Sequence, residues 1–187
     1  YHLRALDLYF QTVYRVRSCA SFAIMKFMTK VSGLLHVDPN IVTTSNCEGC
    51  PMFCITELFE SGYVSGIPVD EHNRIDWTKD FYGKKVFLTG SSQLQLEILV
   101  KGLMQGVFTT NKSFRPEHSE TNRHVSEYTH LEAEFPIRPN EDGLTKLMDF
   151  NERLVKYIIE YVFKHCYDDL VYLSSMEVKS DSLKLSL

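Results

Sequence analysis

Arg115, Glu117 and Tyr128, with His118, Arg123 and His124 between them, are the side chains of this chain best placed by type and spacing to do chemistry. Read as a strand, residues 113–117 put Arg115 and Glu117 on one face and Phe114 on the other, because side chains alternate with period two. Residues 128–135 divide the same way, with Tyr128, His130, Glu132 and Glu134 on one face and Thr129, Leu131, Ala133 and Phe135 on the other. The pattern predicts a long-looped hairpin that buries Phe114, Leu131, Ala133 and Phe135 against helices and leaves a face of Arg, Glu, Tyr and His. A solvated face of ion pairs is the bland alternative. Three features weigh against it. Phe114 and Pro116 hold Arg115 stiffly, which suits bidentate capture of phosphate or carboxylate. His118, Arg123 and His124 supply further donors for an anion, and Tyr128 a flat ring. Cations, a carboxylate and an aromatic surface are the equipment for a nucleotide: phosphate contacts, an acceptor for a base amino group and a stacking platform.

Helices and strands must position these groups. Val16, Cys19, Ala20, Ala23, Ile24, Phe27, Met28 and Val31 recur at helical spacing and stop at Gly33, predicting an amphipathic helix over 15–33. A second helix is predicted over 92–106, with Ser92 and Gln95 at capping-box spacing and Leu96, Leu99, Val100 and Leu103 on one face. A third runs over 144–164 behind the stripe Leu147, Phe150, Leu154, Tyr157, Ile158 and Tyr161. Short strand-forming runs at 34–37, 52–55 and 86–89 read as strands of one sheet. Residues 56–85 fit neither period and read as an insertion loop, and 176–187 as a weakly patterned tail. The whole is an α+β domain over about 1–175 around a mainly antiparallel sheet.

The chain has 187 residues, room for one substantial core, and an ordinary globular composition of 44% hydrophobic and 24% charged residues, which excludes disorder. A net charge of -4 argues against coating nucleic acid by charge alone. Five cysteines, an odd number thinly spread, read as reduced thiols of an intracellular protein. Cys47, Cys50 and Cys54 with His36 or His72 would make an untidy zinc set, and free thiols are the better reading, so no metal ligand is assigned. The opening Tyr1 in place of Met raises the expectation of a piece of something longer.

Phe114-Arg115-x-Glu117, then Thr121-Asn122-Arg123-His124-x-x-Glu127-Tyr128 and Glu132-Ala133-Glu134, resembles the second signature motif of class II aminoacyl-tRNA synthetases, in the asparaginyl/aspartyl branch. Tyr14-Arg15-Val16-Arg17-Ser18 and the following helix resemble the family's first motif. Thr43-Thr44-Ser45-Asn46-Cys47-Glu48-Gly49 resembles its substrate loop, and Phe87-Leu88-Thr89-x-Ser91-Ser92-Gln93-Leu94-x-Leu96-Glu97 its amino-acid pocket segment. The ordered similarity covers about residues 1–161. Aspartyl members usually carry Lys at the position of Leu96; its absence favours the asparaginyl side, since a neutral amide cannot pair with a buried ammonium.

The resemblance implies roles. Arg115 would bind the α-phosphate of ATP and the substrate carboxylate, stabilising the charge of adenylate formation. Glu117 would accept from the adenine amino group, Tyr128 would stack on the ring, and Arg123 and His124 would hold the outer phosphates near the tRNA(Asn) acceptor end. Glu48 would pair with the ammonium of asparagine, with Ser91, Gln93 and Glu97 orienting that substrate. The helix over 15–33 would serve a homodimer. Magnesium is expected for the family, but its ligands, like the Gly-rich third motif and the anticodon-reading barrel, are not in this sequence. The expectation is therefore a partial catalytic domain, cytoplasmic or organellar, with low or no activity alone. An aspartyl-type ligase, a tRNA-independent aspartate-amidating ligase and a catalytically dead dimerisation or regulatory paralogue are the alternatives.

Overall fold

The computed structural model describes residues 2–47, 49, 51–59, 66–116 and 125–184, with side chains from residue 3 to residue 176 of these. In chain order the elements are α1 (Leu8–Lys26), β1 (Leu35–His36), β2 (Val42–Thr43), β3 (Cys54–Ile55), β4 (Val86–Leu88), α2 (Gln93–Leu103), β5 (Val107–Phe114), β6 (Glu127–Glu134), α3 (Gly143–His165) and α4 (Tyr167–Lys184). They form two compact units, one of Tyr1–Leu34 with Ile137–Leu187 and one of Leu35–Pro136.

The first unit is helical. Asp7 caps α1 by accepting from the Tyr9 N–H at 2.7 Å, and a π-helical turn, Phe27–Val31, continues it. Gly33, at φ +68°, ends the run where a side chain would be strained, and the Leu34 N–H closes back onto the Met28 carbonyl at 2.9 Å. Much of the apolar stripe read from sequence packs inward: Ala23, Phe27, Met28 and Leu154 are buried, while Val31 and Leu147 stay exposed, and Phe27 meets Phe150 and Tyr157 with ring centroids 5.7 and 5.5 Å apart. Arg15 ties α1 to α4 through Asp169, its Nη2 2.6 Å from Oδ1. Beyond α3 the chain does not lapse into an unpatterned tail. It remains helical through Lys184, and Phe163 and Tyr167, which have the spacing of core residues, stay exposed on this unit.

In the second unit the strands do not join one sheet as the short runs suggested. β1, β5 and β6 form a three-stranded sheet, with β1 parallel to β5 and β5 antiparallel to β6, while β2, β4 and β3 form a separate antiparallel sheet. The described part of the insertion region carries a 3-10 turn at Trp77–Lys79 and a bridge between Val69 and Ile75. Asp80 ties it down by accepting from the N–H groups of Glu57 and Phe81 at 2.9 and 2.8 Å, and these bonds, that from Glu57 first, hold its carboxyl below the usual carboxylate range.

Helix α2 packs on β5 and β6, with Leu96 fully buried beneath it. It ends at Met104, which takes a left-handed conformation (φ 51°, ψ 30°) with its side chain 79% exposed. Only glycine adopts that conformation without steric cost. Met104→Gly is therefore expected to stabilise the chain by about 0.5–1 kcal/mol, less than the full left-handed penalty because glycine has more freedom to lose on folding. Urea unfolding of the two chains measures it; an unchanged or lowered midpoint would count against the assignment.

Candidate functional site

Strands β5 and β6 form the predicted hairpin, but β5 begins at Val107, earlier than the run at Ser113 suggested. In register, Val107, Thr109, Asn111 and Ser113 stand opposite Glu134, Glu132, His130 and Tyr128, so these eight residues share one face. That face is not left open. Val107, Thr109 and Ser113 are buried and the Glu132 side chain is only 9% exposed, whereas on the opposite face Phe108 is buried but Thr110, Lys112 and Thr129 are exposed. Leu131, Ala133 and Phe135 are half-buried. The physical reason lies in the segment between β4 and α2, which carries donors that match the carboxylates and so makes burial of a polar face tolerable.

Those donors converge on Glu132. Its Oε1 accepts a short hydrogen bond from the Ser91 hydroxyl, and its carboxylate accepts from the Ser92 N–H at 3.0 and 3.2 Å. The carboxylate therefore sits at the N-terminus of α2, where unsatisfied N–H groups and the helix dipole favour an anion. Ser91 in turn accepts from the Gln93 N–H at 3.1 Å. The capping box expected from Ser92 and Gln95 does not form: Ser92 makes no side-chain cap, and Gln95 Nε2 donates instead to the Asn40 carbonyl at 3.3 Å. On the sheet, His130 Nδ1 lies 3.5 Å from Glu132 Oε1 and 3.2 Å from the Ser113 hydroxyl.

Next along α2, Gln93 Nε2 donates to Glu97 Oε1 at 3.0 Å while Gln93 Oε1 accepts from the Cys47 thiol at 3.4 Å. Ser91, Gln93 and Glu97 are thus drawn into one network with Glu132. Glu134 is part of the same acidic patch: burial first, then repulsion by Glu97 and Glu132, pushes its carboxyl above the usual range. Charging Glu134 is harder in the fold than in the unfolded chain, so its cost to stability is absent below the ordinary carboxylate pKa and appears as pH rises through the raised one. Glu134→Gln should accordingly leave stability little changed at about pH 4 and raise it at about pH 7.5, the gap opening with pH. Urea midpoints at both pH values test this; an equal shift at both would refute it.

Arg115 follows β5 and its N–H donates to the Ser126 carbonyl at 3.0 Å. The guanidinium carbon lies 5.9 Å from the centroid of the Tyr128 ring, and Tyr128 meets the His130 ring at 5.4 Å. Arg115 Nε is buried and has no hydrogen-bond partner among the described residues. A buried donor so placed is costly unless something accepts from it. The structure therefore brings Arg115 to Tyr128, and Ser91 and Gln93 to Glu97. Glu48, Glu117, Arg123 and His124 lie outside the described residues. Glu132 and Glu134 entered the sequence reading as part of a polar face and of the motif resemblance, with no role assigned; their signal was period-two carboxylates opposite a predicted helix start. Among the described residues no group of three His, Cys, Asp or Glu is arranged to hold a metal ion, and no helix is long and apolar enough to cross a membrane.

Comparison with known proteins covers nearly the whole chain. A relative from Clostridium kluyveri named asparagine-tRNA ligase is 37% identical over 180 residues, which is 96% of this chain and 37% of that protein. An Arabidopsis thaliana protein named asparagine-tRNA ligase, chloroplastic/mitochondrial, is 33% identical over 99% of this chain and 33% of its own length. The chain thus spans about a third of the curated relatives it matches. In fold it is similar to the crystal structure of asparaginyl-tRNA synthetase from Pyrococcus horikoshii complexed with asparaginyl-adenylate, with a TM-score of 0.67 and 24% identity over 91% of this chain and 33% of that one. The family model for class II tRNA synthetases (D, K and N) matches residues 2–186, and the chain belongs to that family.

Proposed function

We propose that this chain is the portion of an asparagine-tRNA ligase that holds asparagine and the α-phosphate of ATP during adenylate formation, before transfer to tRNA(Asn). The observation that carries the reading is the Nε of Arg115, buried and without a hydrogen-bond partner among the described residues, beside the Tyr128 ring. A planar guanidinium presenting a free donor next to an aromatic face suits an α-phosphate with adenine stacked alongside. In this role Arg115 stabilises the charge that develops as the substrate carboxylate oxygen attacks the α-phosphorus and pyrophosphate leaves. Catalysis of this kind needs position and charge rather than a protein nucleophile. Magnesium belongs to the family's chemistry, and no residue of this chain is assigned to it.

Asparagine is favoured over aspartate by the patch of Glu97, Glu132 and Glu134. A side-chain carboxylate entering it would add a further negative charge where Glu134 is already hard to ionise. An amide brings an NH2 group that donates to those oxygens, with its carbonyl left for a donor such as Gln93. Leu96 is fully buried and offers no cation from that position. Exposed Leu8, Tyr14 and Phe22 on α1 support its use in a homodimer. Calorimetric titration of the chain with non-hydrolysable sulfamoyl analogues of the two adenylates tests the reading. The asparaginyl analogue is expected to bind at least about tenfold more tightly, a difference of about 1.4 kcal/mol. A preference for the aspartyl analogue would overturn the substrate choice, and binding of neither would favour a non-catalytic paralogue.

A further inference from the structure

We propose that Cys19 and Cys166 form a dithiol site that a small-molecule disulfide of the glutathione type oxidises to an intrachain disulfide, tying α1 to the junction of α3 and α4. Both residues belong to the helical unit, and both are free, half-buried thiols. They line one cavity of about 450 Å³ with Arg15 and His165, with Cys19 near enough to help raise the Cys166 thiol. Cys166 stands between the two helices, at φ -133°, ψ 29°, where its N–H caps α3 by donating to the Val162 carbonyl at 2.8 Å. Lying outside regular helix, Cys166 has a backbone less constrained than a helical residue's in turning its thiol toward Cys19.

The other described thiols are engaged elsewhere: Cys47 donates to Gln93 Oε1 at 3.4 Å and Cys54 to the Ile55 carbonyl at 3.8 Å. Selectivity within the unit follows from proximity, and the order of steps from protonation. Burial, then the Cys19 contact, pushes the Cys166 thiol up to about 11, with Asp169 adding to the rise and Arg15 opposing it. Cys166 therefore stays protonated at the start, and Cys19 is the attacking sulfur. The Cys19 thiolate attacks one sulfur of the small disulfide, the S–S bond breaks, and one small thiolate leaves. Cys166 then gives up its proton and attacks the Cys19 sulfur of the mixed disulfide, releasing the second small thiol. In sum the two cysteines lose two electrons and two protons, and the small disulfide becomes two thiols.

The experiment is incubation of the whole chain with oxidised glutathione under native conditions, then blocking of remaining thiols, digestion without reductant and mass spectrometry. The expected product has lost two hydrogens, and the residues joined are Cys19 and Cys166. Because the bond closes a loop of most of the chain, the thermal midpoint should rise by about 5–10 °C and fall back on reduction. In urea, where proximity is lost, the pairing should scatter among all five cysteines. The variant Cys166→Ser should stop at a glutathione adduct on Cys19. Recovery of Cys19 and Cys166 as blocked free thiols after native oxidation, or pairing of other cysteines in their place, would overturn the proposal whether or not the variant folds.

Discussion

Arg115→Lys is expected to weaken binding of the non-hydrolysable asparaginyl-adenylate analogue about 100-fold, while the unfolding midpoint of the free chain stays within about 2 °C. The two halves of that expectation rest on one atom. Arg115 Nε is buried and has no hydrogen-bond partner among the described residues. Lysine keeps the positive charge near Tyr128 but removes the planar fork and the Nε donor. Among the described residues the free chain therefore loses no hydrogen bond from Nε, and the backbone bond from Arg115 to Ser126 is untouched. The complex loses a charged, directional contact, and bonds of that kind contribute about 1.5–3 kcal/mol, or roughly ten- to 150-fold in affinity. A structural role for Arg115 predicts the reverse, with stability lost and any loss of binding following from it. Parallel calorimetry and thermal unfolding separate the two. Unchanged affinity in a folded Arg115→Lys chain would end the assignment of this side chain to the phosphate.

What the sequence made legible divides along the range of the interactions involved. α1, α2 and α3 carry many apolar residues at helical spacing, and each appears within a few residues of its expected bounds, apart from the earlier start of α1. β6 was recognisable through the alternation after Tyr128, whereas only the last two residues of β5, Ser113 and Phe114, fell within the strand expected over 113–117. The three strands β1, β2 and β3 have two residues each, too few for any period, and their sheets are decided by distant partners such as the Thr89 N–H on the Ile41 carbonyl at 2.8 Å. The same distance problem misled the reading of α2's start. Ser92 and Gln95 have the right local spacing, yet a carboxylate forty positions away takes the Ser92 N–H. The burial of the hairpin's polar face follows from that one long-range choice. At the site, resemblance supplied Ser91, Gln93 and Glu97, and the structure draws them together. The resemblance counted Glu132 in its motif without a role, and alternation alone cannot tell a solvated carboxylate from one aimed at a helix start.

Glu132→Ala tests whether that carboxylate organises the pocket. Removing it leaves the Ser92 N–H, in a fully buried residue, and the Ser91 hydroxyl without their acceptor. An orphaned buried donor costs about 1–3 kcal/mol, and the anion lost from the N-terminus of α2 adds about 0.3–1. Against this, a desolvated charge disappears and Glu134 loses one of its two repelling neighbours. The balance should be a destabilisation of about 3 kcal/mol, or about 6–12 °C in thermal midpoint for a chain of this size. Glu132→Gln keeps the shape and one acceptor oxygen, so it should cost about 1 kcal/mol by the same reasoning. Binding should follow a different order. Since Ser91 accepts from the Gln93 N–H and Gln93 holds Glu97, freeing Ser91 lets the first turn of α2 and its pocket side chains shift together. Both variants should therefore weaken the asparaginyl analogue by about tenfold or more, even though Glu132→Gln remains nearly as stable as the parent. If Glu132→Gln binds normally, the carboxylate is a helix cap and nothing further, and the pocket owes its shape to Gln93 and Glu97 alone.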